Sequence, residues 1–104
     1  MIEKADFANR LTELRMNKSV SARDMSLSIG QSPGYINNIE NGVNFPSMAT
    51  FFYICDYLGI TPKEFFDFDT VNPSKANELL NVVKGLSNEQ LDNLIALAKG
   101  LQKW

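Results

Sequence analysis

SARDMSLSIGQSPGYINNIENG, residues 21–42, predicts two short helices joined by a tight turn. Ser21 is a favourable N-cap, and Asp24 three residues later suits the acidic position of a capping box, so a helix should begin here. It should continue to Ile29. Gly30 should then end it, because glycine adopts without strain the positive φ that follows many helices.

The second helix of this stretch has its own start and stop signals. Ser32 is a further N-cap, and Pro33 suits the first helical position, where its missing N–H costs nothing. Ile36 and Ile39 share one face and should point into the core, and Gly42 should end the helix. A helix, a turn containing glycine and a second helix follow the plan of the helix-turn-helix motif, whose second helix enters the DNA major groove.

The composition is that of one small domain with a short appendage. The chain has 104 residues, 44% hydrophobic and 11% aromatic, which is enough for a compact core. No apolar run is long enough to span a bilayer and the N-terminus mixes acids with bases, so we expect a soluble, cytoplasmic protein without membrane contacts. The chain has no histidine, which excludes histidine-based triads and zinc sites. The single cysteine, Cys55, lies in an apolar run and should be a buried hydrophobic residue.

A first helix is predicted over residues 3–17. Its apolar stripe should pack into the core, while charged residues surround the stripe. The stripe consists of Phe7, Leu11 and Leu14, and the surrounding charges are those of Arg10, Glu13 and Arg15.

Two helices should follow the central stretch. Ser47 caps a fourth helix over residues 48–58, which is apolar on nearly every side and should be central to the core. Thr61 and Glu64, with Pro62 at the first position, begin a short fifth helix. The aromatic residues of this region could line a ligand pocket, but we favour either core packing or a partly exposed patch that meets a second subunit. They are Phe51, Phe52, Tyr53, Tyr57, Phe65 and Phe66.

Residues 67–73, DFDTVNP, contain acids and turn-forming residues, which is typical of a linker. Two further helices should follow, the second capped by Ser87 and continuing to Trp104. Each is too short and too apolar on one face to stay free in water, so they pack on the first domain or on a second copy of the chain. We favour a C-terminal hairpin that dimerises, which divides the chain into residues 1–68 and 69–104.

Several motifs in the first two thirds of the chain occur together in a known order. They are RLTELR at 10–15, Gly30, YINNIENG at 35–42, Pro46 with Ser47, and LGITPKEFF at 58–66. In this order and spacing they resemble the Cro/repressor-type (Xre-type) helix-turn-helix family. The resemblance implies an all-α fold, with a five-helix repressor-like domain followed here by the C-terminal helical hairpin. It also implies double-stranded DNA as the partner and, because such repressors commonly read two-fold operators, a homodimer.

The resemblance also implies which residues meet the DNA. Those facing the bases are Ser32, Pro33, Gly34, Asn37 and Asn38. Those facing the phosphate backbone are Lys18, Ala22, Arg23, Tyr35, Asn41, Asn44 and Ser47. Asn38 is the strongest base-reading candidate, because an asparagine amide pairs with N6 and N7 of adenine. The alternative for Asn37 and Asn38 is an ordinary solvated helix face, and for Ser32 it is capping alone.

In the family, an arginine at the position of Arg15 pairs with the glutamate that stands here as Glu40. Such a pair would tie the first helix to the end of the third and fix its orientation. The alternative is an arginine exposed on a solvated helix face.

The charge of the chain fits DNA binding less well than its motifs do. The net charge is −2, and no lysine or arginine lies between Asp24 and Pro62. In addition, Ala22 stands where the family usually has a glutamine that contacts the DNA backbone. These features predict that each subunit has only modest affinity for DNA. Binding as a dimer should therefore contribute more to the total affinity.

The sequence therefore favours a sequence-specific transcriptional regulator, in the simplest case a repressor that binds an inverted-repeat operator. The alternative is a protein-interaction module on the same fold, as in an antitoxin or anti-repressor. An enzyme is not expected, because the sequence has no phosphate-binding glycine loop, metal-ligand spacing or activated nucleophile. Nothing in it indicates a cofactor, a metal or a small-molecule ligand.

Overall fold

Helices make up the regular structure of the chain in the computed structural model, which describes residues 1–102. In chain order they are α1 (Lys4–Asn17), α2 (Ala22–Ser28), α3 (Tyr35–Glu40), α4 (Met48–Leu58), α5 (Pro62–Phe65), α6 (Pro73–Val83) and α7 (Asn88–Leu101). No strand occurs among these 102 residues, so the prediction of an all-α fold is confirmed. The predicted end of the last helix at Trp104 lies outside the described residues.

Several helices begin where local capping signals predict them. Ser21 and Ser47 each accept a hydrogen bond from the backbone N–H three residues later, at 3.0 and 3.2 Å. Thr61 and Ser87 form full capping boxes with the third residues of α5 and α7. These signals act over a single turn, so they specify a helix start without help from tertiary packing.

The first compact unit runs from Met1 to Ser74 and contains the hydrophobic core. The predicted apolar stripe of α1 is buried there, α3 packs against α1 and α2, and α5 packs against α4. Phe65 is fully buried, with its ring centroid 4.8 Å from that of Phe7 and 5.1 Å from that of Phe51. Aromatic packing at these distances joins the first helix to the fourth and fifth.

The aromatic residues predicted to cluster around α4 and α5 divide between core and surface. Phe51 and Phe65 are buried, and Tyr57 is half-buried against the core. The exposed members are Phe52, Tyr53 and Phe66. The cluster therefore contributes to the core and also leaves an apolar surface on the first unit.

Arg10 is buried together with the apolar stripe of α1, whereas the sequence predicts it among the charged residues around that stripe. Its guanidinium pairs with the carboxylate of Glu13. It also donates to four backbone carbonyl oxygens at 2.6–2.9 Å, those of Glu64, Phe65, Asp67 and Thr70. The last carbonyl groups of a helix have no partner within the helix, and the five N–H donors of a guanidinium satisfy them here from another element.

Residues 67–73, predicted as a linker, are fastened to the first unit. Besides the bonds to the buried arginine, the side-chain amide of Asn17 donates to the Val71 carbonyl at 2.8 Å. The Ser74 hydroxyl donates to the Leu58 carbonyl at the end of α4, at 3.1 Å. The first unit therefore includes this segment and extends beyond residue 68.

The second unit begins at Lys75 and contains most of α6 and all of α7. None of the residues of α7 is buried, and the large apolar side chains of both helices are widely exposed. They are Leu79, Leu80, Val82, Ile95, Leu97 and Leu101. Short helices with uncovered apolar faces are stable only when another element covers those faces.

Cys55 is a buried residue of α4, as the sequence predicts. Burial, and to a lesser extent the charge of Asp56, raises the pKa of its thiol from the ordinary 9.0 to about 11. At pH 8 only about one thiol in a thousand is then the reactive thiolate, against about one in ten for an unshifted thiol.

We therefore expect Cys55 to react slowly with a disulfide reagent in the native protein at pH 8 and rapidly once the chain is unfolded in urea. The native rate should rise with pH until about 11, because the thiolate fraction rises. Spectrophotometric titration of the thiol checks this. A native rate equal to that of the unfolded chain at pH 8 would contradict the buried position.

Candidate nucleic-acid interface

The helices α2 and α3 form a compact pair around a glycine turn. Ser21 caps the start of α2, and Gly30, with φ of 78°, follows its end as predicted. On α3, Ile36 and Ile39 are buried in the core. Tyr35 and Glu40 at the two ends of α3 are half-buried, so the outward surface of this short helix is that of Asn37 and Asn38.

The start of α3 differs from the prediction that Ser32 caps it and Pro33 is its first residue. These residues form a turn in which the Ser32 carbonyl accepts from the Tyr35 N–H at 3.1 Å, and the helix begins at Tyr35. The cap comes instead from α2, because the buried Ser26 hydroxyl accepts from the Ile36 N–H at 3.0 Å. The same hydroxyl donates to a carbonyl of its own helix at 2.7 Å. Ser26 thus fixes the start of α3, a role that no local sequence signal indicates.

The end of α3 is fixed by Glu40. Its carboxylate accepts from Arg15 Nε at 2.7 Å and Nη2 at 3.0 Å, the two-point contact implied by the family resemblance. It also accepts from the Thr12 hydroxyl at 2.8 Å, a contact that sequence reasoning missed. A third guanidinium nitrogen donates to the Val20 carbonyl at 2.9 Å. The hydrogen bond to Glu40 raises the pKa of the Arg15 guanidinium, which therefore stays charged.

The residues predicted to face the bases are all exposed. They are Ser32, Pro33 and Gly34 in the turn and Asn37 and Asn38 on α3. Within residues 1–102, the side chains of Ser32, Asn37 and Asn38 make no hydrogen bond, and the N-cap position of α3 is held by Gly34, which has no side chain to cap it. The capping alternative for Ser32 is therefore not observed, and its hydroxyl is available to a ligand together with the two amides.

The residues predicted to face the DNA backbone are a less uniform set. Arg23, Asn41 and Asn44 are exposed, whereas Ala22 and Tyr35 are half-buried against the core. An alanine methyl group in that position has no polar atom to offer a phosphate.

Two further backbone candidates are engaged within the protein. The Ser47 hydroxyl caps α4, accepting from the Thr50 N–H at 3.2 Å. The Lys18 ammonium lies 5.1 Å from the ring centroid of Tyr57, a cation–π contact that competes with a phosphate contact. Of the predicted cations, Arg23 alone is exposed without such a contact in the described structure.

Other kinds of site are not evident in the part of the chain that the structure covers. Among residues 1–102, no group of histidine, cysteine, aspartate or glutamate side chains is arranged to hold a metal ion. No helix within the same range has the length and apolar character needed to cross a bilayer.

A glycine-linked helix pair that packs on the core and shows polar side chains of its second helix to solvent is typical of a helix-turn-helix DNA-binding domain. Residues 8–68 match the family described as Helix-turn-helix domain. Among solved structures, the restriction-modification controller protein C.AhdI from Aeromonas hydrophila is similar, with a TM-score of 0.57 and 28% sequence identity. The match covers 61% of this chain and 91% of the controller. No curated protein matches the chain.

Together with the fold, these matches show the family. The chain belongs to the Xre-type helix-turn-helix family of DNA-binding transcription regulators.

Proposed function

We propose that the protein is a sequence-specific transcriptional repressor of the cytoplasm that binds an inverted-repeat operator as a homodimer. The observation that carries the proposal is the fixed position of α3, held at its start by Ser26 and at its end by Glu40. Asn37 and Asn38 are left exposed on this rigid helix, without partners in the described structure. Free amides on a rigid helix are what base reading in the major groove requires.

Base reading is assigned chiefly to Asn38, whose amide accepts from adenine N6 and donates to adenine N7. Asn37 and the Ser32 hydroxyl supply further hydrogen bonds to bases or to a neighbouring phosphate. Pro33 and Gly34 present small surfaces in the turn, so the start of α3 approaches the groove closely. Arg23, exposed beside the start of α2, contacts the phosphate backbone and sets the register.

A homodimer is proposed because one subunit alone should bind its half of the operator only weakly. Much of the affinity of a protein for DNA comes from cations that neutralise phosphates, and this surface has few of them. Two linked half-site contacts raise the effective affinity without adding charge. A two-fold dimer also matches the symmetry of an inverted repeat. The similarity to a restriction-modification controller supports a role in regulating transcription.

A second candidate function is a protein-interaction module on the same fold. The absence of lysine and arginine between Asp24 and Pro62 favours it, as do the uncovered apolar faces of α6 and α7. In this case those faces, and not α3, would bind the partner.

The test is selection of binding sites from a random-sequence duplex pool, followed by titration of the selected duplex at low and physiological salt. We expect selective binding, and we expect Asn38→Ala to weaken binding to the selected site about 10–100-fold while leaving non-specific binding unchanged. Asn9→Ala, the same change at an exposed position of α1, should leave the affinity unchanged. No binding at low salt would overturn the repressor proposal in favour of the interaction module.

A further inference from the structure

One edge of α7 carries an acid near its start and a base near its end. Asp92 and Lys99 are two helical turns apart, so they lie along the same side of the helix. Neither has an ion-pair partner among residues 1–102. The helix dipole accounts for Glu89 in the first turn, but Asp92 lies beyond that turn. The unpaired acid and base of this edge are therefore available to another molecule.

An apolar face of α7 adjoins this edge. Leu91, Ile95 and Ala98 follow each other at i, i+4 and i+7, so they share one side of the helix, next to Asp92 and Lys99. Ile95 is 50% exposed, Ala98 is exposed and Leu91 is half-buried. The centre of the face is thus open to solvent in the described chain.

We infer that this face of α7 packs against the same face of a second copy of the chain, with the two helices antiparallel. At a rise of about 1.5 Å per residue, Asp92 and Lys99 are about 10 Å apart along the helix, and the midpoint between them lies beside Ile95. A two-fold axis at that midpoint brings Asp92 of each copy opposite Lys99 of the other and the two Ile95 side chains together.

Charge complementarity indicates that a second copy of the chain covers this face of α7, and it favours an antiparallel orientation of the two helices. In an antiparallel pair, the charged edges of the two helices lie side by side. Asp92 of each copy then faces Lys99 of the other, so the two-fold symmetry gives two such contacts. In a parallel pair, the two-fold axis runs along the helices and places the two charged edges on opposite sides of the interface, so neither Asp92 nor Lys99 meets an opposite charge. The pairing rests on the proposed function in that an inverted-repeat operator requires a two-fold dimer, and it adds the surface and the direction of the contact.

Charge reversal in the full chain tests the pairing. Asp92→Lys and Lys99→Asp each place like charges opposite each other twice per dimer, so each should raise the dimer dissociation constant at least about tenfold in sedimentation experiments. An equimolar mixture of the two variants should form heterodimers of parental affinity, because every contact is again between opposite charges. The chain carrying both reversals should form homodimers of parental affinity for the same reason.

Lys63→Asp, a matched reversal at an exposed residue of α5, should leave dimerisation unchanged. A monomeric parent at micromolar concentration, single variants as dimeric as the parent, or a mixture that fails to recover would each overturn the pairing. Circular dichroism of each variant separates loss of folding from loss of association, and recovery in the mixture requires folded chains.

DNA titration of the same proteins separates this inference from the proposed function. If the parent binds DNA selectively but neither charge reversal changes the dimer dissociation constant, the pairing is overturned and the repressor proposal stands. If the dimer responds as expected but the parent binds no DNA at low salt, the repressor proposal is overturned and the pairing stands.

Discussion

Arg10→Met is expected to lower the free energy of unfolding by about 3–5 kcal/mol. The guanidinium is almost fully buried, and its removal leaves carbonyl oxygens at the end of α5 and in the following segment without a donor. Glu13 loses its cationic partner as well. Methionine retains much of the side-chain volume, so the loss would reflect unmade hydrogen bonds more than a cavity.

Urea unfolding followed by circular dichroism at 25 °C measures this change. Arg23→Met is the matched control, because Arg23 is exposed, and it should alter the free energy of unfolding by less than about 0.5 kcal/mol. Similar losses in the two variants would show that the carbonyl contacts of Arg10 are not what stabilises the first unit.

Glu40→Ala is expected to lower the free energy of unfolding by about 2–3 kcal/mol and to weaken the proposed binding to a selected duplex beyond detection at physiological salt. The substitution removes the acceptor of both Arg15 and Thr12, and it leaves the guanidinium partly buried without its counter-charge. The end of α3 then loses its attachment to α1, and the exposed amides lose their fixed position.

A double-mutant cycle with Arg15→Ala separates the pair from its surroundings. We expect the double variant to be more stable than the sum of the single losses predicts, with a coupling free energy of about 1–2 kcal/mol. Thr12→Val should cost about 1 kcal/mol, since it removes the hydroxyl proton that Glu40 and the Ala8 carbonyl share and leaves the ion pair intact. Strictly additive losses at Arg15 and Glu40 would argue against a coupled pair.

The parts of the fold that depend on neighbouring residues could be predicted from the sequence. Ser21, Ser47 and Thr61 act within one turn of their own helix, and the structure has those helices begin there. The prediction that α3 starts at Ser32 and Pro33 was wrong, although both residues are good local signals for a helix start. The deciding group, the Ser26 hydroxyl, lies ten residues before the N–H it accepts from, and a serine inside a short helix gives no sign of such a role.

The spacing of Arg10 in the sequence indicates burial, but its positive charge suggests exposure. It lies three residues after Phe7 and one before Leu11, and so on the apolar side of α1. Its burial could not be inferred, because the Phe65 carbonyl it contacts is 55 residues away in the chain. A buried guanidinium is stable only with such acceptors, and a helical pattern does not reveal them.

The candidate site also has some features that the sequence predicts and others that it does not. Exposure of Asn37 and Asn38 follows from the burial of their neighbours on α3 and could be predicted from spacing alone. The engagement of Lys18 with Tyr57 could not, because it depends on how α1 lies against α4. Which bases the exposed residues contact stays a prediction.

The groups that hold α3 in place are separate from the groups it exposes. Ser26 and the pair of Arg15 and Glu40 lie inside or against the core, while Asn37 and Asn38 contribute nothing to that framework. Substitutions at the two asparagines therefore carry little folding cost. Under the proposed function, new operator preferences are then accessible to this scaffold by single codon changes, in natural divergence as in laboratory reprogramming.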